Sequence, residues 1–177
     1  MSKTKLKKYL STLPQEQLVQ VILDLYDARK EAKEYLEFFM NPDQKSALEK
    51  EKKDLYRIYF TPQGKTRSRV SVKSGSDLVA DFIRLDIDPE LVADLMLYHV
   101  EVAMSRLVMR HIVRETAWNS IVTLFRKAID YIVAYDLRGM SARRIEKILE
   151  YTAHTPPYLN IEFRLREELN ECSYYEK

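Results

Sequence analysis

Cysteine occurs once, at Cys172, so no disulfide can close within the chain and no multi-cysteine metal site can be assembled. A reducing, cytoplasmic setting is therefore expected. Charge of one sign is also missing: 29 basic side chains stand against 27 acidic ones, which describes a mixed globular surface and gives no strong pointer to nucleic acid. Long apolar runs are absent. The longest, such as "YIVAY" and "IVTLF", fall far short of the ~20 residues that cross a bilayer. The opening "MSKTKLKKYLSTLPQEQ" carries positive charge without the apolar core or cleavage site of a secretory signal, so no membrane partner is expected.

Glycine is scarce, with three residues in 177. Together with long runs rich in Leu, Glu, Lys, Arg and Ala, this points to helix almost everywhere. A chain of this length buries roughly 70% of its unfolded surface, so a single all-helical domain over residues 1–177 is the expectation. Between Pro14 and Met40, Leu18, Ile22, Leu25, Ala32, Leu36 and Phe39 form one stripe, which predicts a single long amphipathic helix. "NPDQ" then offers Asn41 as cap, Pro42 as first helical residue and Gln44 as the reciprocal capping-box partner. Asp88 and Pro89 repeat that punctuation before a helix with Val92, Leu95, Met96, His99, Val102 and Ala103 on one side. Trp118 to Tyr135 is again helical in spacing, with Gly139 placed to cap its end and Ser141 to restart the chain. Adding a short first helix and a last one at "IEFRLREEL" gives about seven helices, in an antiparallel bundle or a short stack of pairs. "RVSVK" alternates and suits a short strand or an extended loop.

The words "KLKKYL", "LVQVILDLY" and "EYLEFFMNPD" near the N-terminus resemble the opening of a family of small bacterial all-helical proteins classed as a domain of unknown function. The likeness is specific over the first quarter of the chain. It implies a bacterial cytoplasmic helical protein and carries over no site residue.

The stretch from Pro62 to Asp77, "PQGKTRSRVSVKSGSD", holds Gly64-Lys65-Thr66. A phosphate loop would need an earlier glycine, but Tyr59 stands there, and the loop should follow a buried strand. The segment reads instead as a flexible basic loop over 61–76. Lys65, Arg67, Arg69 and Lys73, with no acid among them, are candidate contacts for an anion or a nucleic acid through counterion release. Arg106, Arg110 and Arg114, spaced i, i+4 and i+8, form a second candidate stripe. Like charges so arranged destabilise a helix, and the seven acids of residues 76–101 (Asp77, Asp81, Asp86, Asp88, Glu90, Asp94, Glu101) are the expected compensation.

Catalytic, metal and cofactor residues are not assigned. His99 sits in an apolar stripe, as a hydrogen-bonded packing residue would; His111 is twelve residues on, some 120° around a helix, and His154 falls in the "HTPP" break. The leading functional reading is a non-enzymatic protein-interaction or self-associating module with an unnamed protein partner. Nucleic-acid association through 65–73 and the arginine stripe is the alternative. A third reading is an enzyme with a pocket between helices, for which Asp94 and Glu101 are the carboxylates to watch.

Overall fold

The computed structural model describes residues 2–40, 43–60 and 72–176. Among them every regular element is helical, and nine α-helices are present rather than about seven. They fall into two compact units, Met1–Asp43 and Gln44–Lys177.

The first unit holds α1 (Lys3–Leu10), α2 (Gln15–Ala28) and α3 (Lys30–Met40). Ser2 caps α1 by accepting a hydrogen bond from the Lys5 amide. The single helix expected from Pro14 to Met40 is broken at Arg29, whose backbone is extended (φ −138°, ψ 118°). Neither glycine nor proline marks the break; the pairing of the two halves does. Tyr26 donates to Glu37 at 2.8 Å, and the Lys33 ammonium lies 5.2 Å from the Tyr26 ring centre. In a straight helix residues eleven apart would be separated by ~16 Å along the axis.

The second unit holds α4 (Gln44–Tyr59), α5 (Val72–Ile83), α6 (Pro89–Met109), α7 (Glu115–Ala134), α8 (Arg138–Tyr151) and α9 (Ile161–Glu171). Two short 3-10 turns, Thr152–His154 and Pro157–Leu159, precede α9. α6 is the hub, packing on α4, α5, α7 and α8, while α7 also packs on α9. A hub must be apolar around its circumference, and α6 buries residues on every side, from Val92 through Leu95, Leu97 and Val100 to Met104. Asp88 caps it as expected, accepting from the Glu90 amide. Gln44 does something the capping-box reading missed: its side-chain oxygen accepts from the Asp88 amide at 3.0 Å, tying the start of α4 to the start of α6. The proposed cap residues Asn41 and Pro42 lie outside the described residues.

Scarce glycine shapes the helix ends. α6, α7 and α9 each close with a left-handed residue that is not glycine: His111 (φ 49°), Asp136 (φ 54°) and Ser173 (φ 54°). In each case two backbone bonds cover the last carbonyls. Ile112 and His111 donate to Leu107 and Val108, Leu137 and Asp136 to Ile132 and Val133, Tyr174 and Ser173 to Leu169 and Asn170. Gly139 is therefore not the cap of α7. It lies inside α8, with open space where a Cβ would stand.

The expected loop over 61–76 is also revised. Residues 61–71 lie outside the described residues, whereas 72–76 are the first turns of α5, so the "RVSVK" strand reading fails at Val72 and Lys73. Gly75 is buried there against α6 and α4. A Cβ on it would stand 2.4 Å from His99 Nε2 and 3.1 Å from Leu55 Cδ1, closer to the ring than real Cβ atoms come. Glycine at 75 thus serves a close approach between helices rather than a flexible loop.

Candidate functional site: a charged seam along the central helix

Beyond its first turn, which holds Glu90, the largely apolar α6 carries two acids, Asp94 and Glu101. Seven residues apart, they share one face two turns from each other. Half-buried carboxylates need partners, and α8 and α4 supply them. Arg144 of α8 grips Glu101 with both arms, Nε to Oε1 at 2.7 Å and an Nη to Oε2 at 2.8 Å. Its other terminal nitrogen bonds the Asp94 carboxylate and also donates to the Asp94 carbonyl at 3.1 Å. Lys52 of α4 reaches the second Asp94 oxygen at 2.7 Å, with its ammonium 5.8 Å from the Tyr98 ring centre. The seam thus alternates Lys52, Asp94, Arg144, Glu101 across three helices.

Burial pushes the Glu101 carboxyl upward, and the Lys52 and Lys147 charges pull it back. Two guanidinium N–H groups seated on its two oxygens favour the ionised form. The arginine, lowered somewhat by the same burial, remains charged at any physiological pH. We therefore describe the pair as a carboxylate on a guanidinium.

Past Glu101 the seam opens into a small cleft of about 140 Å³ between α6 and α8, lined by Glu101, Met104, Ser105, Lys147, Ile148 and Tyr151. A second polar element lies deeper. The Tyr59 hydroxyl and His99 Nε2 are 2.7 Å apart, both side chains buried. Burial lowers His99 to about 4 and raises the Tyr59 hydroxyl, so the imidazole is neutral and the phenol protonated at neutral pH. His99 is the hydrogen-bonded packing residue the sequence suggested.

The arginine stripe does not form as a stripe. α6 ends at Met109, Arg110 is its C-terminal cap and Arg114 precedes the first turn of α7, because His111 turns left-handed without any glycine to announce it. Arg106 and Arg110 do sense each other's charge. Among the described residues no ion pair joins any of the three to the acids of residues 76–101; Asp94 and Glu101 bond Arg144 and Lys52 instead, and Asp81 pairs with Arg84. Of the basic-loop candidates, Lys73 lies in α5, and Lys65, Arg67 and Arg69 lie outside the described residues, as does Gly64-Lys65-Thr66. The Cys172 thiol is pushed up to about 12 by burial and by Asp130, which removes it as a nucleophile at neutral pH.

Sequence reasoning named Asp94 and Glu101 but missed Arg144, Lys52 and Lys147, and did not connect Tyr59 with His99. A local signal existed for the need, two acids on an apolar helix, and none for the identity of partners more than forty residues away. Among the described residues no group of three His, Cys, Asp or Glu could hold a metal, and no helix is long and apolar enough to cross a membrane.

An all-helical scaffold with an ion-paired seam defines a class of protein by architecture rather than by chemistry. The chain belongs to a family of unknown function (DUF6155), matched over residues 1–166, as expected of a domain of unknown function. No curated protein and no solved structure matches it.

Proposed function

We propose that this protein works by self-association, with the N-terminal unit carrying the contact surface. One observation supports this most directly: no described residue of α1, α2 or α3 is buried. Yet α2 alone carries Val19, Val21, Ile22, Leu23 and Leu25, each 43–51% exposed, and α3 ends on Phe39 and Met40 at more than 70%. Helices of 14 and 11 residues are marginal in water unless an apolar face is covered. Apolar side chains on several sides of α2 call for cover from more than one direction. Covering such a pair of helices with an identical pair gives a four-helix arrangement. Charge favours the same occupant: α1 carries Lys3, Lys5, Lys7 and Lys8 without an acid, while α2 and α3 carry Glu16, Asp24, Asp27, Glu31, Glu34 and Glu37 against only Lys30 and Lys33.

Sedimentation equilibrium of the full chain tests the reading. A dimer or larger closed assembly is expected, reverting to monomer in the double variant Ile22→Glu, Leu25→Glu with helical content otherwise kept. A wild-type chain that stays monomeric across the concentration range would remove self-association, leaving a different protein partner as the occupant to seek.

A further inference from the structure

The cleft between α6 and α8 is built from two facing pairs. Glu101 and Ser105 stand at i and i+4 on α6, Lys147 and Tyr151 at i and i+4 on α8, so each pair lies on one helix face. Met104 and Ile148, 1% and 2% exposed, supply an apolar floor.

Glu49, 3.6 Å from Lys52, completes the charge balance of the seam, and one cation at the cleft is left without an ion pair among the described residues. Lys52, Asp94, Arg144 and Glu101 satisfy one another, with both Glu101 oxygens already on Arg144. Lys147 adds a further positive charge at the cleft end, close enough to pull on Glu101, yet among the described residues it closes no ion pair, not even with its neighbours Glu146 and Glu150. Ser105 and Tyr151 present hydroxyls at the same wall, and neither is hydrogen-bonded to another described side chain or carbonyl. One cation, two hydroxyl donors and a methyl-lined floor converge on a space too small for a nucleotide or a drug-sized ligand, whose pockets run to ~300–1,000 Å³.

We propose that this cleft binds a small monocarboxylate with a short aliphatic tail, its carboxylate on Lys147, Ser105 and Tyr151 and its tail on Met104 and Ile148. A monoanion gives the Lys147 ammonium the ion pair it lacks. A dianion brings a second negative charge beside Glu101 with no second cation in the lining to meet it, and an alkylammonium meets Lys147. The tail rests on the little of that floor left open, so its contribution is small and the carboxylate contacts carry the affinity. This inference is independent of self-association, since every residue it uses belongs to the second unit.

Methyl NMR on the full-length chain decides it, with butyrate, butylammonium and inorganic phosphate as probes. Butyrate is expected to shift the Ile148 and Met104 methyl signals saturably, and the other two probes to leave them in place. Lys147 is exposed, so Lys147→Met should fold normally and weaken butyrate about tenfold or more, the weight of a hydrogen bond to a charged group. Tyr151→Phe should weaken it less. The proposal is overturned if butyrate and butylammonium shift the same methyls alike, if Lys147→Met binds butyrate as the wild type does, or if no saturable shift occurs up to tens of millimolar.

Discussion

The helices α2 and α6 read alike in sequence and differ entirely in the fold. "LVQVILDLY" in α2 and "LVADLMLYHVEVAM" in α6 both place apolar residues around most of the circumference, punctuated by one or two acids. α6 is surrounded by four helices of its own unit and buries nine of its 21 residues; α2 buries none of its 14. Circumferential apolarity reports how many sides of a helix want cover. It does not report where that cover comes from, and the absence of cover within the N-terminal unit is the ground for reading it as a contact surface.

The comparison breaks most visibly under core truncation. Trp118 of α7 is fully buried and donates its indole N–H to the Ile112 carbonyl at 2.8 Å. Trp118→Ala should cost about 3–5 kcal/mol in urea unfolding. A cost near zero would mean that the second unit is as open as the first.

Acid gives the next largest effect. His99 is held at about 4 by burial, below its ordinary 6.5, so the unfolded chain takes up a proton in this window and the folded chain does not. Stability is then complete above pH 6.5 and falls as the pH drops toward 4, by roughly 3 kcal/mol for this group. Tyr59, the polar group facing it, stays protonated throughout. Denaturation at pH 7 and pH 4.5 on wild type and His99→Gln isolates the histidine's share, since glutamine keeps a polar partner for Tyr59 and does not titrate. Equal acid losses in the two proteins would place the sensitivity elsewhere.

Gly75→Ala should destabilise by about 1–3 kcal/mol through overpacking against His99, although alanine is worth ~1 kcal/mol more than glycine in a helix. A raised melting temperature would show that α5 can withdraw from the ring. Smallest is Leu23→Ala in α2, 51% exposed. It should change stability by less than about 0.5 kcal/mol in dilute solution and by more at concentrations where the chain self-associates. That concentration dependence sharpens the contrast between the two units.

Where the residues carry local instructions, the sequence was readable. Asp88-Pro89 starts α6 because a short acidic cap and a pre-set φ act within one turn, and the apolar spacing from Trp118 onward gives α7 its buried face. His99 was legible because a polar residue in an apolar stripe must find a partner, though nothing local named Tyr59, forty residues earlier. The misreadings share a cause. The break at Arg29, the left-handed His111 and Asp136 and the helical start of α5 all use residues that also suit a continuous helix or a loop. In a chain with three glycines, helix ends are set by backbone bonds to the last carbonyls, and no residue type advertises them. The seam was half legible: the need of Asp94 and Glu101 showed in α6, while Arg144 was one of many arginines until the fold placed it.

Arg144 also acts as a gauge. Its guanidinium reaches from Asp94 to Glu101, two turns or ~10.5 Å along α6, and it is satisfied only when α8 lies at one axial offset. A slip of one turn, ~5.4 Å, is the larger step by which packed elements ratchet past each other. Here a step toward the N-terminus would leave the arginine only Glu90, one turn before Asp94, and a step the other way would leave it no acid on that face. α8 is thereby indexed to α6 by a single side chain, next to the cleft that the two helices line.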